Sequence, residues 1–164
     1  MGMQGVSLLK ILTSTEMLGA SVVAGWEGLG RRVTSLAVVE APVAMEWLKG
    51  GELVLTTGYY LHGDKVIFIN FINKLVEIGA AGVAIPPRSF IGIIPDEVIH
   101  KADELMFPVI SLPINSTFWK VAQTLIMELA VNEPPRDLTW SGTYWISWRT
   151  AWGYRPSLIT WPPD

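Results

Sequence analysis

Leu48-Lys49-Gly50-Gly51-Glu52-Leu53-Val54-Leu55-Thr56-Thr57-Gly58 reads as a Gly-Gly turn, a short buried strand and a polar exit. A strand that ends in small hydroxyl residues and a glycine sets backbone N–H groups and hydroxyls at the carboxyl edge of a sheet. Open α/β sheets hold their ligands at that edge.

Outward from this stretch, strands and helices alternate. Upstream, Ser7 is placed to cap a short helix over residues 7–13. Ser21 to Ala24 reads as a strand, Gly25 to Gly30 as a loop, and Val33 to Glu40 as a β-branched strand stopped by Pro42. Ala44 to Lys49 fits one helical turn, closed by Gly50 and Gly51. Downstream, Asp64 caps a helix running to Ile78, with Gly79 ending it. Asn70, Asn73, Lys74 and Glu77 form one polar stripe, which predicts a helix buried around most of its circumference. Gly82 to Ile85 is a strand halted by Pro86-Pro87. Pro95 opens a helix whose Asp96 and Glu97 suit the helix dipole. After Pro108, Val109 to Leu112 is a strand, and Ser116 or Thr117 caps a last helix to about Ala130. The pattern predicts an α/β fold in three layers: a mostly parallel sheet of about five strands with flanking helices.

Bulk composition narrows the function classes. Half of the 164 residues are hydrophobic, ample for a packed core. No apolar run reaches the roughly 18 residues of a membrane span, and Lys10 interrupts the most apolar part of the amino terminus. The absence of cysteine excludes disulfides and thiolate chemistry and fits a cytoplasmic location. Net charge is −3 and the only basic cluster is Arg31-Arg32. Nucleic-acid binding draws much of its affinity from neutralising phosphates, so direct contact with DNA is not expected.

Composition shifts at Asn132. Five of the eight tryptophans follow it (Trp140, Trp145, Trp148, Trp152 and Trp161), among prolines and without a regular pattern. Residues 1–131 therefore read as one α/β domain and 132–164 as a Trp/Pro-rich tail, frameshifted or disordered. Trp145, Trp148 and Trp152 share a helical face, and the alternative is an amphipathic patch for a partner or an interface.

The motifs also stand in a telling order: Val22-Val23-Ala24-Gly25, Gly28-Leu29-Gly30-Arg31-Arg32-Val33, Trp47 to Gly58, then Ala102-Asp103-Glu104-Leu105 before Phe107-Pro108-Val109-Ile110. Over about residues 5–131 the chain resembles the N-terminal domain of purine-catabolism regulators, the PucR-type transcription factors. The resemblance implies a bacterial regulatory domain that senses a small metabolite or mediates assembly, at the front of a longer protein whose C-terminal helix-turn-helix binds DNA. No middle domain or helix-turn-helix is expected after residue 131. The same domain is similar to small α/β modules that precede some bacterial kinases and ligases.

Candidate ligand residues lie at the carboxyl edge. Thr56, Thr57 and Gly58 offer N–H and hydroxyl donors to a carboxylate, ureide or phosphate; the alternative is turn chemistry alone. Glu40 comes close to Thr56 if the two strands pair, and would accept hydrogen bonds from a purine or ureide; the alternative is a solvated acid. Arg88 would pair an anion bidentately or sit on the surface. Gly25 to Gly30 lacks the dinucleotide fingerprint and reads as a turn, with Arg31-Arg32 as a solvated pair beside it. Asp103-Glu104 is expected to face water or a neighbouring turn. His62 and His100 are the only histidines and lack metal-ligand spacing, so neither a metal nor a cofactor is expected.

Three functions compete. The first is a non-enzymatic sensor of an effector, a purine breakdown product or similar. The second is a dimerisation module without a ligand, and the third an enzyme, for which no positioned base or nucleophile is legible. The expected partners are a small-molecule effector and a second copy of the chain, with no direct nucleic acid contact and no membrane.

Overall fold

The computed structural model describes residues 5–87, 89, 91–114 and 117–132. The strands are β1 (Val6–Ser7), β2 (Ser21–Ala24), β3 (Arg32–Val33), β4 (Ser35–Val38), β5 (Glu52–Leu55), β6 (Gly82–Ile85) and β7 (Val109–Ser111). The helices are α1 (Leu8–Leu12), α2 (Lys65–Ile78), α3 (Asp96–Glu104) and α4 (Phe118–Asn132). Five strands form the main sheet in the order β2-β7-β6-β5-β4, parallel throughout except that β2 runs antiparallel beside β7. The expected α/β architecture is present.

The interior strand β5 is buried along its whole length, as a parallel strand covered on both faces must be. Its side chains alternate between two cores. Val54 joins Val83, Phe68, Phe71, Leu75, Val98 and Ala102, beneath α2 and α3. Leu53 and Leu55 join Leu8, Ile11, Ile110 and Val121, beneath α1 and α4. Phe68, Phe71 and Leu75 are at most 2% exposed. Each such side chain contributes about 1.5–3 kcal/mol when taken out of water. The sheet is therefore the middle of three layers.

The punctuation residues act where the sequence places them. Asp64 accepts hydrogen bonds from the N–H groups of Val66 and Ile67 at 2.8 and 3.1 Å, and Gly79 ends α2 with a left-handed φ of 85°. Ser7 caps α1 through the Lys10 N–H at 3.4 Å, and Thr117 caps α4 through that of Lys120 at 3.3 Å. The Gly50-Gly51 turn is held from the far side by buried Glu52, whose carboxylate accepts from the N–H groups of Lys49 and Gly50 at 2.8 and 2.9 Å.

Four features differ from expectation. Residues Pro42–Trp47 form a 3₁₀ segment instead of one α-turn ahead of the glycines. β1 and β3, two residues each, pair antiparallel as a separate ribbon too short to show a sequence period. The first turn of α2 leaves Val66 and Ile67 exposed, 59% and 43%, so the wet face is wider than its polar stripe. Arg31 is not a solvated neighbour of Arg32. It is half-buried and donates to the carbonyls of Met106 and Ala80 at 3.2 Å, and its guanidinium lies 5.5 Å from the centre of the Phe107 ring. Burial lowers its pKa from the usual arginine value. Asp103 meets a neighbouring turn, as one of its expected readings has it: its Oδ1 accepts from Gly25 N–H at 2.6 Å. Ser116 and the tail from residue 133 lie outside the described residues.

Candidate functional site

β4 and β5 pair in parallel with Val38 opposite Leu55, so the two residues beyond each partner, Glu40 and Thr57, meet at the carboxyl edge. Glu40 Oε1 accepts from Thr57 N–H at 2.6 Å and Oε2 accepts from the Thr57 hydroxyl at 2.5 Å. Thr56 is fully buried; its Oγ1 accepts from Gly58 N–H at 3.0 Å and its own N–H donates to Ala84 O at 3.2 Å. The structure thus gathers Glu40, Thr56, Thr57 and Gly58 into one corner in which the N–H groups of residues 56–58 and the Thr57 hydroxyl all have acceptors within the chain. A bound anion would displace these bonds and face the Glu40 carboxylate. Arg88 lies outside the described residues.

The adjacent Tyr60 stands edge-on to Phe71, with ring centres 5.6 Å apart. Its hydroxyl is buried without a hydrogen-bond partner among the described residues. Burial, and secondarily the charge of Glu40, push its ionisation above the ordinary tyrosine range.

The chain between β6 and α3 roofs this edge. Gly58 has a left-handed φ of 71°, and a Cβ there would run into Ile91 Cγ1 and Cδ1, so the roof rests on the β5 corner. A cavity opens on either side. One, of about 340 Å³, is lined by Leu61, Asp64, Lys65, Phe68, Ile91 and Pro95 among others. Its charged groups are engaged: Asp64 caps α2, and Lys65 pairs with Glu97 at 2.5 Å. That exposed pairing raises the Lys65 pKa and lowers that of Glu97. The other cavity, of about 320 Å³, lies over the ends of β6 and β7 and includes Val23, Ile85, Ser89, Ile94, Ile99 and Ser111 in its lining. Sequence reading missed it, because its walls come from four separated segments. Pro86-Pro87 beyond a buried strand is the one local signal of its rim.

Among the described residues, no group of three or more His, Asp or Glu stands where a metal ion could be held. Nor is any described helix long and apolar enough to cross a membrane.

Comparison with known proteins gives a consistent result. The profile of the purine catabolism regulatory protein-like family matches residues 10–129. The purine catabolism regulatory protein of Bacillus subtilis is 30% identical over 108 residues, which cover 66% of this chain and 20% of that protein. The transcriptional activator PmfR of Paenarthrobacter nicotinovorans is 29% identical over 144 residues, 88% of this chain and 31% of that protein. The chain therefore spans a fifth to a third of the curated relatives it matches. Among solved structures, the CBS and DRTGG domains of the regulatory region of a Clostridium perfringens pyrophosphatase, in complex with the activator diadenosine tetraphosphate, match with a TM-score of 0.48 at 14% identity. That match covers 90% of this chain and 64% of that one.

Proposed function

The chain belongs to the purine catabolism regulatory protein-like family, and on that premise we propose that its domain senses a small-molecule effector for a bacterial transcription regulator. One observation carries the reading: the carboxyl edge of the sheet is roofed by a separate segment that leaves two cavities above 300 Å³. Ligand sites in α/β sheets form at that edge and at about that size. The names of the two relatives support a regulatory role. The domain binds without chemistry: among the described residues, the charged groups around the edge are engaged in structure, Glu40 with Thr57, Asp64 with α2, Lys65 with Glu97. Glu40, Thr56, Thr57 and Gly58 form the wall under the roof, and an effector carrying an anionic group would pair with Arg88. DNA contact belongs to other parts of the longer regulators, and the domain works in the cytoplasm.

The test is thermal unfolding of the chain with and without purines, ureides, amino acids and nucleotides. A ligand at about 100 times its Kd adds about 2.7 kcal/mol, a shift of several degrees for a domain of this size. A shift confined to one compound class identifies the effector; its absence in a folded sample removes the sensing role.

A second reading, assembly as a homodimer, is favoured by a specific feature of α4. Trp119, Ile126 and Met127 lie on one helical face and are 64%, 59% and 70% exposed. A sedimentation coefficient that rises with concentration, and no longer does so in Trp119→Glu, is the expected signature.

A further inference from the structure

We propose that the effector seat is the crevice between the carboxyl ends of β6 and β7, and that it takes an uncharged, largely apolar small molecule offering one or two hydrogen-bonding groups. The inference rests on the sensing role and assigns it a place and a ligand chemistry.

Topology is the first argument. The chain leaves β5 for α2 and leaves β6 for α3, and both helices pack on the same face of the sheet. It leaves β7 for α4, whose Val121 packs on the opposite face. The connections from β5 and β6 therefore run side by side, and Ile91 bridges back onto Gly58. Those from β6 and β7 diverge, so nothing in the connectivity closes the gap between them. Such a divergence is the switch point at which open α/β sheets bind ligands.

The edge strand is shaped to the same gap. The pairing of β2 with β7 slips between Val22 and Ala24, leaving Val23 as the extra residue of a bulge. Val22 packs under α1 and α4, whereas Val23 and Ala24 both turn to the α3 side. The bulge thus aims Val23 into the crevice, which it lines with Ile99 of α3 and Ser111 of β7.

The lining sets the ligand class. Val23, Ile85, Ile94 and Ile99 are aliphatic, Ser89 and Ser111 bring two hydroxyls, and no described lining residue is charged. A charge held there would lose its hydration without gaining a counter-charge from the described lining, whereas an uncharged molecule buries apolar area and uses the hydroxyls.

The experiment titrates the chain, by calorimetry and thermal shift, with uncharged probes (hypoxanthine, uracil, nicotinamide) and anionic ones (inorganic phosphate, oxalate, AMP). It is repeated in Ser111→Ala, Val23→Phe and Arg88→Ala. The expected result is stabilisation by an uncharged probe. Its Kd weakens three- to tenfold in Ser111→Ala, as loss of one neutral hydrogen bond gives, and much more when Val23→Phe fills the crevice; Arg88→Ala leaves it unchanged. If Val23→Phe does not fold, Ser111→Ala decides. Stabilisation by anions alone, lost in Arg88→Ala and kept in Ser111→Ala, overturns this proposal and leaves sensing intact. So does an uncharged ligand whose Kd neither crevice variant moves. No stabilisation by any probe in a folded sample overturns the crevice and the sensing role together.

Discussion

At the end of β5, Thr56 and Thr57 use their hydroxyls inside the chain, one on Gly58 and one on Glu40. Two strands away, at the end of β7, Ser111 faces a cavity of about 320 Å³. Both strands are buried and parallel to β6; β5 runs straight into Thr56 and Thr57, and β7 ends in Ser111. They differ in what the neighbouring chain does next. β4 continues past its last pair just far enough for Glu40 to close over Thr57. The chain after β6 instead turns to α3 while that after β7 goes to the other face, so no acid reaches Ser111 from its parallel neighbour. Hydroxyl residues at a strand end thus offer a binding group only where the connectivity leaves them one.

The contrast breaks if the β5 corner is less closed than its geometry indicates. Glu40→Ala leaves Thr57 N–H and its hydroxyl without their charged acceptor, and hydrogen bonds to charged groups are worth about 1.5–3 kcal/mol each. The expected loss is about 3 kcal/mol in urea unfolding, the largest effect anticipated at this edge. Glu40→Gln, which keeps one acceptor, should recover part of it. A loss below about 0.5 kcal/mol, the range of an uninvolved surface substitution, would mark the corner as open.

Gly58 and Gly92 sharpen the comparison from the roof. Both have left-handed φ, 71° and 67°, but a Cβ on Gly58 meets Ile91 whereas one on Gly92 meets nothing within 4 Å. Gly92→Ala therefore reports the conformational cost alone, about 1 kcal/mol. Gly58→Ala adds displacement of Ile91, for about 2 kcal/mol in all. Equal losses would show that the roof does not rest on the β5 corner.

Much of this was legible in the sequence, for reasons that local chemistry explains. Asp64 and Gly79 bound α2 because a capping carboxylate and a left-handed glycine act within one turn of the helix they delimit. Glu40 meets Thr57 because parallel pairing carries two strand ends to the same edge in register. Other features depend on distant chain. Arg31 is fixed by carbonyls at Ala80 and Met106, more than 45 residues away, and nothing in Gly30-Arg31-Arg32 announces them. The direction of β2 is set by its partner β7, and a four-residue strand carries no sign of it. The crevice was least legible, since it depends on which face each helix takes after its strand.

The smallest expected effect is also the one most specific to the closed corner. Tyr60 keeps its hydroxyl buried beside Glu40 without a hydrogen-bond partner among the described residues, an arrangement that costs stability and that phenylalanine would relieve. Tyr60→Phe should therefore stabilise the chain by about 1 kcal/mol while preserving the edge-on packing against Phe71. The substitution should also change the alkaline limb of the stability curve. Burial and the Glu40 charge make this phenol harder to ionise in the folded chain than in the unfolded one, where ionisation occurs near the ordinary value of 10.0. Its contribution is whole below that pH and declines as pH rises through it towards the higher folded value. The phenylalanine variant lacks that decline, so its advantage over the parent should widen above pH 10. An advantage that stays constant from pH 8 to 11 would mean that Tyr60 ionises as freely folded as unfolded, with the β5 corner open to water like the crevice beside it.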